Sequence, residues 1–133
     1  MEKLGVRQGS RVEVLGLDDE AWFLEELRDR GADFVGRPPF DHVFVRVNHP
    51  DDLDELPRLR RRITPSGAIW VVRAKGNSRQ VTDVEIIDAA KRRGLVDNKI
   101  ASFSETLSAM RLVIPLAMRP AGGARPAPTK TER

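Results

Sequence analysis

Cysteine is absent from this chain of 133 residues, and histidine occurs only twice, at His42 and His49. The absence of cysteine excludes disulfides, thiolate metal sites and a cysteine nucleophile. Two histidines are too few for a histidine-rich metal centre, so we expect no bound metal. The serines lie outside any Gly-x-Ser-x-Gly elbow, and no motif therefore supports hydrolase chemistry.

Long apolar runs are also missing. None approaches the roughly 20 residues that a membrane-spanning helix requires. The first residues, Met1 to Gly5, lack the apolar segment of a signal peptide. We therefore predict a cytoplasmic protein that does not enter a membrane.

The excess of positive charge is small and unevenly distributed. The formal net charge is +3, from 23 basic and 20 acidic residues. Four of the basic residues and one of the acidic residues lie from Met118 onward, so the rest of the chain carries equal numbers of both. Because a neutral folded part attracts nucleic acid only weakly, we do not expect nucleic acid as a partner.

Strand-like runs alternate with helical patterns along most of the chain. Six runs have the length and composition of strands, at residues 11–16, 32–35, 42–47, 68–72, 96–103 and 107–116. Three helical patterns begin near Asp18, Pro50 and Thr82, where acids, a proline or a capping threonine favour a helix start. Pro57 lies inside the second pattern, which leaves open a kink or two short helices.

The order of these elements predicts a three-layer α/β domain over residues 1–117, with helices on the faces of a mostly parallel sheet of about six strands. The unbroken apolar run at 68–72 is typical of a central parallel strand, and Trp22 and Trp70 are predicted core residues. The short linker before residues 107–116 predicts an antiparallel last strand at the sheet edge. Residues 118–133, rich in proline, glycine and charge, are predicted to be a disordered tail.

The stretch LRRRITPSGAIWVV at residues 59–72 resembles the helix–turn–strand segment of class I S-adenosylmethionine-dependent methyltransferases. The closing part of the chain, from RGLV at 93–96 to RLVI at 111–114, is similar to theirs as well. A closer resemblance is to a bacterial family of small Rossmann-like domains of unknown function. It rests on residues 4–9, 57–60, 67–71, 82–83, 94–99 and 104–106. The resemblance implies a methyltransferase-like fold and brings no activity with it.

The chain departs from the methyltransferase pattern where the cofactor would bind. Methyltransferases of this class place an acid and a glycine-rich turn at the end of the first strand, where backbone approaches the cofactor. An acid at the end of their second strand binds the ribose hydroxyls. Here the first strand ends at a single glycine, Gly16, and Gly36-Arg37 follows the second strand without an acid. We therefore expect that the protein does not bind S-adenosylmethionine.

Ligands of open parallel sheets bind at the carboxyl ends of the strands. The polar residues that follow the predicted strands indicate an anion site there, with the candidates Arg37, Arg46, Arg73, Lys75 and Asn77. A pocket at the same edge would be formed by Gly16, His49, Thr82 and Asp83. These residues also have simpler interpretations: solvated charges beside loops, a loop histidine, and a helix cap at Thr82-Asp83.

Two hypotheses of function remain. The preferred one is a non-catalytic binding module on a methyltransferase-like frame, for a small anion or a protein partner. The alternative is a small transferase with unusual cofactor contacts. A protein partner or a second copy of the chain would pair with the strand at 107–116, if that strand is an exposed edge, with Pro115 limiting the pairing at its far end.

Overall fold

The computed structural model describes residues 4–34, 36–76 and 81–119. The centre of this part of the protein is a sheet with both parallel and antiparallel strands. Its five strands are β1 (Val12–Leu15), β2 (Phe40–Arg46), β3 (Ile63–Ala74), β4 (Val96–Ser102) and β5 (Leu107–Val113). Three α-helices are described, α1 (Ala21–Asp29), α2 (Leu56–Arg60) and α3 (Asp83–Arg92), with 3-10 helices at Pro50–Glu55 and Leu116–Met118. The second helical pattern is thus two short helices, one of the two alternatives that Pro57 left open.

The strands lie in the spatial order β1-β2-β3-β5-β4. β1 and β3 both run parallel to β2, whereas β5 is antiparallel to both β3 and β4. The predicted α/β class is confirmed, but the predicted sheet of about six mostly parallel strands is not, because the sheet has five strands and two of its four pairings are antiparallel. β3 is the middle strand, and Ile69, Val71 and Val72 in it are fully buried.

The prediction that the last strand lies at the sheet edge is wrong. β5 is paired on both sides, so the described edges are β1 and β4. The reason is burial: five of the seven residues of β5 are buried, whereas most of β4, including Asn98, Lys99 and Ile100, is exposed or half-buried. A polar strand with a lysine suits an edge, where one side meets solvent. Because both edges of β5 are already paired within the sheet, β5 does not offer a free edge to a partner strand.

The run at residues 32–34 does not form a full strand, contrary to prediction, and Val35 lies outside the described residues. Its one ladder contact is an isolated parallel bridge between Asp33 and Arg11. Gly31 and Gly36, both at positive φ, turn the chain on either side, so too few residues remain to extend the pairing. This short segment lies beside the beginning of β1.

Helices cover both faces of the sheet. On one face, Phe23 and Leu27 of α1 pack with Phe44 and Trp70, together with Leu4 and other residues of the opening segment. On the other face, α2 and α3 bury apolar side chains against Val43, Val45 and Val47, the valines that share one face of β2 and its continuation. Trp70 is 1% exposed, as predicted for a core residue, but Trp22 is 45% exposed, so its predicted core position is wrong.

β3 begins at Ile63, five residues earlier than the predicted strand. The pairing of β2 with β3 shifts between Phe40↔Ile63 and His42↔Ala68, so β3 bulges across this interval. Gly67 lies in the bulge, where a Cβ would stand 3.0 Å from the carbonyl oxygen of Phe40 and 3.1 Å from that of Asp41. Only glycine permits this approach of two backbones without a shift.

The predicted boundary between the domain and a disordered tail stays a prediction. The structure describes Met118 and Arg119, and the Arg119 side chain donates a hydrogen bond to the Ile114 carbonyl at 2.9 Å. Residues 120–133 lie outside the described part of the chain.

Candidate functional site

The carboxyl ends of β1 and β2 meet at a shallow cavity of about 380 Å³ lined by Gly16, Asp18, Asp19, Arg46 and Asn48. Arg46, the last residue of β2, donates hydrogen bonds to both carboxylate oxygens of Asp19, at 3.0 and 3.2 Å. Glu20 lies 3.8 Å from the same guanidinium nitrogen. The positive charge of Arg46 is therefore matched within the chain, which weakens its assignment as an anion-binding residue.

A second cavity, of about 560 Å³, lies at the carboxyl end of β3. The structure brings together here four of the residues predicted for the anion site and pocket, Arg73, Lys75, Thr82 and Asp83, and adds Ser108 from β5. We name it the carboxyl-edge cavity. Arg73 forms an ion pair with Asp83 and also donates to the carbonyl of Ala74. Lys75 donates to Ser102 Oγ at 2.7 Å and to the Ser104 carbonyl at 2.6 Å.

The beginning of α3 forms one wall of the carboxyl-edge cavity. Thr82 and Glu85 form a reciprocal capping box: the Thr82 hydroxyl accepts from the Glu85 backbone N–H at 3.2 Å, and the Glu85 carboxylate accepts from the Thr82 N–H at 2.9 Å. The predicted helix cap is thus the principal role that the contacts assign to Thr82. Asp83, by contrast, faces Arg73 and contributes a negative charge to the cavity.

Two other predicted site residues, Arg37 and His49, do not line this cavity. Arg37 lies at the opposite end of the sheet, because it precedes β2 and its carbonyl accepts from Arg11, the residue before β1, at 3.3 Å. Its predicted position depended on a second strand that does not form. His49 caps the 3-10 helix at Pro50–Glu55, where its Nδ1 accepts from the Asp51 N–H at 3.1 Å. Asn77 lies outside the described residues.

A cavity that the sequence did not reveal lies at the amino end of the sheet, on the face that α1 covers. It has a volume of about 370 Å³ and is lined by Leu4, Gly5, Arg7, Asp41, His42, Ser66, Gly67, Trp70, Lys99 and Arg111. We name it the amino-edge cavity. One feature of the sequence points to this cavity. Leu107, Ala109 and Arg111 are spaced two residues apart in β5, so the three side chains lie on the same face of the strand and place a cation on an apolar face.

His42 lies in the wall of the amino-edge cavity and is 8% exposed. Its Nδ1 accepts a hydrogen bond from the indole Nε1–H of Trp70 at 3.3 Å. Burial lowers the pKa of His42 below its ordinary value of 6.5, against the opposing effect of Asp41, and Arg111 lowers it further. The neutral imidazole fits this arrangement, since protonation would place a proton on the nitrogen that accepts from Trp70.

Two absences among the described residues bear on other classes of function. No three histidine, aspartate or glutamate side chains of this part of the chain lie together in a way that could hold a metal ion. None of the described helices combines the length and the apolar character needed to cross a membrane.

The solved structures that this chain resembles include S-adenosylmethionine-dependent methyltransferases. An S-adenosylmethionine-dependent methyltransferase from Aquifex aeolicus superposes with a TM-score of 0.65 at 13% identity, over 86% of this chain and 87% of that one. A TehB-like S-adenosylmethionine-dependent methyltransferase from Corynebacterium glutamicum superposes with a TM-score of 0.59 at 13% identity, over 86% and 85%. Such low identities establish a shared fold and do not transfer an activity.

A third similar structure contains the cofactor. The O-methyltransferase NcsB1 of neocarzinostatin biosynthesis, in complex with S-adenosylmethionine and a naphthoic acid, superposes with a TM-score of 0.56 at 14% identity. The match covers 80% of this chain and 49% of NcsB1.

No protein of curated function matches the sequence. One family does, with a match over residues 1–116 that takes in all five strands. The chain therefore belongs to the DUF3052 family, a family of proteins of unknown function.

Proposed function

We propose that this protein is a non-catalytic binding module that takes a small anion in the carboxyl-edge cavity. The observation that carries the proposal is the convergence of Arg73 and Lys75 on one cavity beside the beginning of α3. In the described part of its lining, two cations accompany one carboxylate, that of Asp83, so this part has an excess of positive charge. The start of a ten-residue helix adds further positive potential.

The size of the cavity and the residues around it indicate the class of ligand. A volume of about 560 Å³ is in the range of small-molecule sites. The Ser108 side chain is a possible hydrogen-bond donor beside the two cations. Phosphate and carboxylate groups suit guanidinium and ammonium donors, so a small phosphorylated or carboxylated metabolite is the proposed ligand.

The residues at the end of β1 do not fit S-adenosylmethionine. In the methyltransferase pattern, a glycine-rich turn lets backbone approach the cofactor at this place. Here the space over Gly16 is taken by Arg46, whose Cβ lies 3.2 Å from the position of a Cβ on Gly16, and the Arg46–Asp19 ion pair extends across the cavity. The acid that would bind the ribose has no equivalent strand to carry it, because residues 32–34 form one bridge instead of a strand. These contacts support a role without methyl transfer.

The second candidate function is a transferase that uses S-adenosylmethionine. It is favoured by the fold alone, since a similar structure, NcsB1, was solved in complex with this cofactor. Asp83 would then be the candidate base of the carboxyl-edge cavity, but its ion pair with Arg73 favours the carboxylate as a structural partner of that cation.

Thermal unfolding with inorganic pyrophosphate tests the binding proposal. We expect pyrophosphate to raise the Tm of the wild-type protein above that in sodium chloride of equal ionic strength. The increase should fall in Lys75→Gln and persist in Lys91→Gln, a matched control on the exposed end of α3. Equal stabilisation of Lys75→Gln and the wild type would contradict the proposal.

Calorimetry with S-adenosylmethionine separates the two candidate functions. The proposed module should give no binding heat, in the wild type or in Lys75→Gln. Saturable binding of micromolar affinity would favour the transferase.

A further inference from the structure

On the face of the sheet that α1 covers, one position of β5 holds a charged side chain, although its neighbours on that face are apolar. Along β5, the residues on this face are Leu107, Ala109, Arg111 and Val113, and all except Arg111 are buried in the core on that side. Arg111 is half-buried among them, directly across from Trp70 of β3. An arginine in this position loses hydration and packs poorly, so its presence requires a compensating contact.

A second cation stands directly opposite the first. In the antiparallel pairing of β4 with β5, Lys99 is the cross-strand partner of Arg111. Like charges in directly opposed positions destabilise a sheet. Arg7, from the opening segment, adds a third cation to the lining of the same amino-edge cavity.

Within the described residues, no side chain neutralises Arg111. Its guanidinium makes no hydrogen bond or ion pair there. Burial lowers the pKa of Arg111, and the neighbouring cation Arg119 lowers it further. An arginine nevertheless remains protonated in proteins, so the positive charge stays in place.

The negative charge near this cavity is already engaged. Among the described residues, Asp41 is the one acid in the lining, and its Oδ2 accepts the Arg11 backbone N–H at 2.9 Å. His42, which also lies in the wall, is neutral and accepts a hydrogen bond from Trp70. In the part of the lining that the structure describes, three cations and one anchored carboxylate therefore surround a cavity of about 370 Å³.

We propose that the amino-edge cavity is a second binding site, which takes an oxyanion, either a carboxylate or a phosphate group, between Arg111 and Lys99. A bound oxyanion would separate the two opposed cations and accept the free donors of Arg111, whose planar fork matches both kinds of oxyanion. Arg7 lines the same cavity and adds a third cation beside the site. The cavity lies at the other end of the sheet from the carboxyl-edge cavity, so this proposal is independent of the proposed function.

The indole N–H of Trp70 is a reporter within this site, because Trp70 lines the cavity and pairs with Arg111 across the sheet. The indole N–H of Trp22 is an internal control: it donates to Glu20 at 2.8 Å and does not line the cavity. In ¹H–¹⁵N spectra, titration with pyrophosphate or with malonate at constant ionic strength should shift the Trp70 signal saturably and leave the Trp22 signal in place. A response to pyrophosphate alone would identify a phosphate site, and a response to malonate alone a carboxylate site.

Arg111→Gln is the test variant, and Lys75→Gln, at the carboxyl-edge cavity, is the matched control. We expect Arg111→Gln to raise the Kd roughly tenfold or more, as loss of a charged hydrogen bond does, and Lys75→Gln to leave it unchanged. If Arg111→Gln does not fold, Lys99→Gln replaces it, with the same expectation. A Trp70 signal that does not move with either anion, or that moves equally in the wild type and the folded variant, would overturn the proposal.

Discussion

The Cβ of Arg46 lies 3.2 Å from the position that a Cβ on Gly16 would occupy. Gly16 also has φ of +75°, in the left-handed region. The glycine at the end of β1 thus serves two purposes: it turns the chain, and it leaves room for the last residue of β2.

Gly16→Ala should therefore lower the free energy of unfolding by more than left-handed backbone strain alone would lower it. Gly36→Ala is the matched control, because Gly36 has φ of +76° and nothing lies within 4 Å of the place that a Cβ on it would occupy. We expect about 1–2 kcal/mol of lost stability from strain in both variants, and roughly a further 1 kcal/mol in Gly16→Ala from displacement of Arg46. Urea unfolding measures both values, and equal losses would contradict the packing role of Gly16.

Arg62 should contribute measurably to stability, whereas its neighbour Arg61 should not. Arg62 donates to both carboxylate oxygens of Glu13, at 3.3 and 2.9 Å, and lies 5.3 Å from the centre of the Phe40 ring. The pair joins the end of α2 to β1 and is mostly shielded from solvent. We expect Arg62→Ala to lower the free energy of unfolding by about 1–3 kcal/mol.

Arg61→Ala is the control for that variant, since Arg61 is exposed. Its effect should stay within about 0.5 kcal/mol. Similar losses in the two variants would indicate that the arginines act together through the helix dipole, as a run of basic residues at a helix end suggests, and not through the contact with Glu13.

Stability should fall as the pH drops below about 6.5, because His42 is buried and neutral. Burial is the main cause that lowers the pKa of His42 in the folded state, whereas the unfolded chain has the ordinary value of 6.5. Between the two values the unfolded state binds more protons, so stability is complete above pH 6.5 and is lost as the pH falls through the folded-state pKa.

Denaturant unfolding at a series of pH values between about 5 and 7.5 measures this effect. His42→Gln should reduce the dependence of stability on pH in that range, and His49→Gln, which changes an exposed histidine, should preserve it. The contribution of His42 would be refuted if its replacement left the pH dependence as it is in the wild type.

The predictions that held depend on residues close together in the chain. The apolar run around Ile69 and Val71 indicated a central strand, and the capping threonine at Thr82 favoured a helix start. The alternation of Val43, Val45 and Val47 placed one face of β2 in the core. These features follow from short-range patterns, such as the period of two residues in strands and of 3.6 residues in helices, which a sequence contains directly.

The candidate site was predictable where it follows a correctly predicted element. Arg73 and Lys75 come at the end of β3, and Thr82 and Asp83 at the start of α3, so their meeting follows from the parallel architecture. Arg37 was misplaced because its position depended on residues 32–35 forming a strand. His42 was assigned to the beginning of a strand, but its contact with Trp70 joins residues 28 positions apart in the chain.

The sequence by itself determined most of the segments that become helices and strands, that they form an α/β domain, and that Thr82 caps α3. The tertiary structure decided the order of the strands: β5 entered the sheet between β3 and β4 because its two apolar faces require burial and those of β4 do not. It also decided that Arg111, Lys99 and His42 line one cavity. Local patterns depend on neighbours within a few residues, whereas strand order and cavities depend on the burial of surfaces contributed by distant segments.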